Sequence, residues 1–261
     1  MLGPCDHAVQ FYGLDEPALI ANAGAYLLDG LRKDDNVIVV AQPRSRTAFE
    51  SYLGDQGVDH HGLQASGRLQ VIDSEQTLDR FMVGGQPDSR RFNDVIGSLV
   101  RGALAPASGL RAYGDMVDLL WKRGQYPAAI RLEQLWHRLI ADSSFSLFCG
   151  YEIDVLDPDL ELGLLDALLR AHSHLLPGGA AAALSTALGL AMKEAFGEEF
   201  ERVAGEASGF SQRGWSRLAP SEATILFLRK DRPAHARRVL ARAREHYLAL
   251  RDSQQPFETA V

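Results

Sequence analysis

The chain has 261 residues, 46% hydrophobic and 23% charged, enough for one large core or a core with a helical appendage. Its net charge of −7 argues against general nucleic-acid binding, and no apolar run reaches the roughly 18 residues of a membrane span. Cys5 and Cys149 are too few for a disulfide framework and lack metal-ligand spacing, and the N-terminus has no signal-peptide pattern, so a cytoplasmic protein is expected.

In chain order, residues 7–12 read as a first strand. The turn Gly13-Leu14-Asp15-Glu16-Pro17 follows, with Asp15 able to cap a helix reaching about Asp29. The run NVIVVA at 36–41 is continuously apolar, as a strand buried on both faces of a parallel sheet should be. A helix is expected at 46–56, then a polar loop carrying His60 and His61. A third strand at 69–72 ends at Asp73, and Ser74 can cap a helix at 75–83. Residues 90–104 carry a helical stripe of Phe92, Val95, Ile96, Leu99 and Val100.

The stretch 110–136, LRAYGDMVDLLWKRGQYPAAIRLEQLW, organises the rest. A short strand breaks at Gly114-Asp115 and feeds a helix that Gly124 can end. Pro127 can open a second helix with Ile130, Leu132, Leu135 and Trp136 on one stripe. Trp121 and Trp136 are the expected buried anchors of the two helices. Residues 145–151 form the last core strand. A helix starting near Asp157 is expected to carry His172 and His174 near its end and to stop at Pro177. Strands alternating with helices over 1–177 predict an α/β domain with a mostly parallel sheet and helices on both faces.

Residues 178–261 show no strand pattern. Helices are expected at 181–196, 198–207, 222–229 and 232–251, with Ser221 and Asp231 as caps of the last two and a loose tail from Asp252. Residues 211–251 hold ten Arg and Lys against three acids, so this segment is +7 and the remainder −14. Such helices can dock on an acidic partner or on the chain's own acidic domain.

Ligands of open α/β sheets bind beyond the carboxyl ends of the strands. The sequence places Gly13, Asp15, Glu16, Gln42, Arg44, Asp73, Ser74, Gly114 and Asp115 there. That set is rich in acids, and neither a P-loop nor a dinucleotide fingerprint occurs in the chain. A phosphate site needs backbone N–H groups and a cation, which two carboxylates would oppose. Taken alone, Asp15 and Asp73 read as plain helix caps. His172 and His174, two apart on a helix, would point to different sides. Cys149 in an apolar strand reads as an inert buried thiol. Asp115 and Glu133 could converge as acid/base or metal ligands.

The blocks HAVQFY, GRLQVID, FMVGGQPD, RAYGDMVDLLW, AAIRLEQLW, FSLFCGY and AHSHLLP occur in this order. Together they resemble the methanogen/methylotroph sensory (MEDS) domain of signalling proteins, over about residues 7–177. The resemblance implies a degenerate relative of the KaiC/RecA-type ATPases. By that analogy the first strand enters a phosphate loop whose lysine is absent, and Asp115 stands where the family more often has Glu. A RecA-like α/β domain at 1–177 and a helical region at 178–261 are therefore expected. The implied function is non-catalytic signalling through a small ligand or a signalling protein, without cofactor, catalytic residue or metal, and with self-association open. The alternatives are a residual Mg²⁺-dependent ATPase using Asp115 and Glu133, and an adaptor docking through the basic helices. The ligand pocket is expected between the turn at 13–16 and residues 111–115, closed by the helix bearing Glu133. Its residues would be Gly13, Asp15, Glu16, Arg111, Tyr113, Asp115 and Glu133. The competing reading of Arg111 is an internal salt bridge to Asp15 or Glu133.

Overall fold

A computed structural model describes residues 2–13, 15–104, 109–179, 181–210 and 217–254. The strands are β1 (His7–Phe11), β2 (Asn36–Ala41), β3 (Leu69–Asp73), the hairpin arms β4 (Met82–Val83) and β5 (Gln86–Pro87), β6 (Leu110–Gly114), β7 (Ser146–Tyr151), β8 (His174–Leu176) and the two-residue β9 (Arg217–Leu218). Helices α1 (Glu16–Arg32), α2 (Pro43–Asp55), α3 (His60–Ala65) and α4 (Ser74–Asp79) lie among the first strands. Next come α5 (Ser89–Phe92) and α6 (Ser98–Leu104), joined by a π-type turn, then α7 (Met116–Lys122), α8 (Tyr126–Ser143) and α9 (Leu162–Leu169). The C-terminal helices are α10 (Ala181–Phe196), α11 (Phe200–Ser208), α12 (Pro220–Asp231) and α13 (Pro233–Gln254).

The main sheet has the order β3-β2-β6-β7-β1-β8-β9, and every pairing in it is parallel. Alternate residues of its strands feed two cores. On one face Val37, Val39, Tyr113 and Phe148 pack with Leu19 and Leu27 of α1 and Phe49 of α2. On the other, Ile38, Val40, Ala112, Leu147 and Cys149 pack with Leu132 and Trp136 of α8 and Leu168 of α9. Asp15 caps α1 by accepting the Ala18 N–H at 3.2 Å, and Asp73, not Ser74, caps α4. Gly124, at φ +69°, lets α7 stop and α8 begin two residues later.

Several elements differ from expectation. The helix before Pro177 ends at Leu169, and His174–Leu176 is instead a strand pairing with β1. Leu175 and Leu176 serve opposite cores, the alternation of a strand rather than of a helix. The helix expected at 75–83 stops at Asp79, because Phe81 plunges into the core and Gly84 and Gly85, both at positive φ, close the β4–β5 hairpin. His60 and His61 sit on α3, capped by Asp59. Ala219 rather than Ser221 precedes α12, and Asp231 is its last residue. α13 continues through the expected tail to Gln254, and 255–261 lie outside the described residues.

The C-terminal region contributes β9 to the sheet, although no strand was expected there. Leu188, Leu226, Val239 and Leu240 join the same core as Val9 and Leu175. Several of its basic residues are tied to the chain itself. Arg229 donates to the carbonyls of Val155, Asp157 and Leu160 at 3.0, 2.7 and 3.0 Å. Lys230 pairs with Asp166, Arg237 with Asp159 and Arg244 with Asp154.

Of the two expected tryptophan anchors, Trp136 is buried edge-on against Phe92 and Phe145. Trp121 is only partly covered, by Tyr126 and Tyr151. Trp136→Ala should therefore cost about 3–5 kcal/mol in urea denaturation, and Trp121→Ala nearer about 1 kcal/mol. Equal losses would contradict this packing.

Candidate functional site: a buried polar cluster under the long helix

The seven residues expected to line one pocket are spread over two edges and two faces. Gly13 donates its N–H to the Ile153 carbonyl at 3.2 Å. A Cβ on Gly13 would lie 2.5 Å from Ile153 and Asp154 backbone atoms, so residues 153–156 strap across the turn. Asp15 accepts from the Tyr247 hydroxyl, and Glu16 pairs with Arg44. Asp115 is buried and accepts the Gln42 N–H at 3.0 Å. Tyr113 points to the α1/α2 face, its ring edge-on to Phe49.

Arg111 lies at the opposite end of the same strand, about 13 Å from position 115 at the usual rise per residue. It bonds Asp29 at 2.6 Å, Asp35 at 3.1 Å and the Tyr26 carbonyl at 2.9 Å. The salt bridge is real, but its partners are Asp29 and Asp35 rather than Asp15 or Glu133. Arg111 and Tyr26 also line a groove of about 350 Å³ beside α1. The space at the carboxyl edge, between Phe11–Gly13 and the 153–156 strap, is only about 20 Å³. That is room for about one water.

Glu133 belongs to a different constellation. It is fully buried on α8 beside His7, Cys149 and His172, each within 5% of full burial. Among the described residues, these four bring one ligating atom each to within 4.8 Å of one another. β1 supplies His7 and β7 supplies Cys149. Residues 7 and 149 point to the α8 face in neighbouring strands, since Val9 is the register partner of Cys149. His172 comes from the turn between α9 and β8. That turn is held to β1 by the Ser173 N–H on the His7 carbonyl at 2.7 Å.

The geometry is tight. His7 Nε2 lies 3.3 Å from Cys149 Sγ and 3.4 Å from Glu133 Oε2. His172 Nε2 is 3.5 Å from Glu133 Oε1, and Cys149 Sγ is 3.9 Å from Oε2. The Tyr151 hydroxyl donates to Glu133 Oε1 at 2.6 Å. His7 Nδ1 faces the Ala171 carbonyl at 2.7 Å and His172 Nδ1 faces the Leu168 carbonyl at 2.8 Å. A carbonyl can only accept, so in both rings Nδ1 carries the proton and Nε2 presents a lone pair to the centre. His172 Nε2 has no hydrogen-bond partner.

Burial sets the charge states. It pushes Glu133 up to about 8, against the opposing hydrogen bond from Tyr151. Burial also pulls His172 down to about 4 and His7 well below its usual value, with neighbouring His172 adding to the shift on His7. The Cys149 thiol is raised by burial first and by Glu133 second. In the protein alone, the group is neutral at neutral pH.

Sequence reasoning singled out Glu133 but passed over His7, Cys149 and His172 as ligands. They stand far apart in the chain, so local spacing carries no signal. The one legible hint was ionisable His7 at the head of a strand expected to lie in the core.

The fold and site together define a parallel α/β domain with a polar cluster sealed under one helix. The sequence profile of the MEDS family, described as the MEthanogen/methylotroph, DcmR Sensory domain, matches residues 6–173. The chain belongs to this family of sensory domains. No curated protein matches it. No helix among the described residues is long and apolar enough to cross a membrane.

Burial also raises Asp115, to about 6, with Asp118 adding to the effect and the Gln42 N–H opposing it. A carboxyl whose folded pKa is raised stabilises the fold below its unfolded pKa and loses that contribution as pH climbs through the folded one. Asp115→Asn should therefore flatten the loss of stability between about pH 4 and 6. It should leave the protein more stable at pH 7, by at most about 3 kcal/mol. Urea denaturation across pH 4–8 checks this, and a variant less stable at pH 7 would contradict it.

Proposed function

We propose that the chain is a non-catalytic sensory module that binds a small ligand or a protein partner through a degenerate, RecA-like α/β domain. The observation carrying this reading is the closed turn after β1. Where a phosphate loop would need open backbone N–H groups, Gly13 instead donates to the 153–156 strap. The strap is itself held by Arg229 and Arg244 from the C-terminal helices.

Charge supports the same reading. Asp115 and Asp118 are buried at this edge, and their carboxylates, with Glu152, raise the Tyr12 hydroxyl further after burial has raised it. The edge cations are already engaged: Arg44 with Glu16, and Lys122 with Asp118 and Glu152 at 2.8 and 2.5 Å. A triphosphate would meet net repulsion here. Docking of a partner through the basic helices has less support, because their arginines and lysines bind the chain's own acids and carbonyls.

Phosphate release from ATP with Mg²⁺ should stay at background with the full chain. Turnover that disappears in Asp115→Asn would overturn the non-catalytic reading and establish a residual ATPase.

A further inference from the structure

The cluster beneath α8 goes beyond that reading, because it has a chemistry of its own. Two neutral imidazoles aim unprotonated Nε2 atoms at one point, where a thiol and a carboxyl also converge. The Cys149 thiol, 3.3 Å away, can donate to His7 Nε2. His172 Nε2, 3.5 Å from a Glu133 oxygen that already accepts from Tyr151, makes no hydrogen bond although it is buried and aimed at the same centre. We propose that His7, Glu133, Cys149 and His172 form a tetrahedral site for a divalent late first-row metal, with Zn²⁺ the cation their donor set suits best.

Four properties support it. First, the donors are two nitrogens, one sulfur and one oxygen, a borderline-soft set that suits Zn²⁺ and not Mg²⁺ or Ca²⁺. Second, the spacing is right. Zinc–ligand bonds of about 2.0–2.3 Å give tetrahedral edges of roughly 3.3–3.7 Å. His7 Nε2, Cys149 Sγ and Glu133 Oε2 lie 3.3, 3.4 and 3.9 Å apart, and with His172 all four ligating atoms lie within 4.8 Å of one another, so small side-chain shifts would close the tetrahedron. Third, each ring is oriented from behind by a carbonyl, and Glu133 by the Tyr151 hydroxyl, the supporting contacts that metal ligands require. Fourth, the charge closes. A divalent cation with one thiolate, one carboxylate and two neutral imidazoles sums to zero, which a low-dielectric interior tolerates.

The binding step balances in protons. The cation enters, the Cys149 thiol loses its proton, Glu133 loses its own where it is protonated, and solvent takes both. A groove of about 550 Å³ between α8 and α9, lined by Ile130, Gln134, His137 and Ala171, lies beside the cluster, and the carbonyl of its Ala171 is the one that holds His7 Nδ1.

The test uses the untagged full chain, stripped with a chelator under reducing conditions and then dialysed against Zn²⁺ or Co²⁺. One ion per chain should bind. The Co²⁺ form should show intense tetrahedral d–d absorption and a thiolate-to-cobalt charge-transfer band. Cys149→Ala should abolish the charge-transfer band and weaken Zn²⁺ binding at least about 100-fold, while Cys5→Ala, at an exposed thiol, should change neither. Glu133→Gln, nearly isosteric, serves as the second variant and should also lower affinity while circular dichroism remains native. Failure of the wild-type chain to bind a stoichiometric ion overturns the proposal. So does a charge-transfer band that survives in Cys149→Ala and vanishes in Cys5→Ala. Neither result would touch the phosphate-release test of the non-catalytic reading.

Discussion

A carboxyl, a thiol and two imidazoles packed against one face of a parallel sheet must share protons, since water is excluded. His7 and His172 each spend their only N–H on a main-chain carbonyl, and Tyr151 spends its hydroxyl on Glu133. What remains is a carboxyl, a thiol and two imidazole lone pairs converging on a single point, with His172 Nε2 making no hydrogen bond. Four parts of the chain meet there: the strands β1 and β7, the long helix α8 and the turn into β8. Deleting one member would leave the others buried and unpaired, a cost of about 1–3 kcal/mol per group.

The carboxyl edge, where open α/β sheets ordinarily bind ligands, is treated in the opposite way. The Ile153–Leu156 strap crosses the turn after β1, and the C-terminal helices fasten it through Arg229 and Arg244. Glu222 of α12 accepts the Gly178 N–H at 2.7 Å, tying the same helices to the end of β8. β8 begins two residues after His172. The cluster and the contacts that place the C-terminal helices are thus adjacent in the fold.

Much of this fold was legible in the sequence, for local reasons. NVIVVA reads as a buried strand because the five residues after Asn36 are all apolar, and it is buried throughout. Asp15 with Pro17 announces α1, and the alanine-rich run 181–196 is the helix α10. β8 and β9 were not legible, because three and two residues carry no periodicity and their pairing is tertiary. The candidate site was the least legible part. Strand direction alone separates Arg111 from Asp115, and strand alternation turns Tyr113 away from Glu133. The cluster's four members, at positions 7, 133, 149 and 172, are joined only by the fold.

X-ray absorption at the zinc edge of the zinc-loaded chain tests the central claim most directly, because it reads the atoms around the ion. The account predicts a four-coordinate shell with nitrogen and oxygen at about 2.0–2.1 Å and one sulfur at about 2.3 Å. A shell of oxygens and nitrogens alone, with no sulfur, would place the ion outside the cluster and contradict the account.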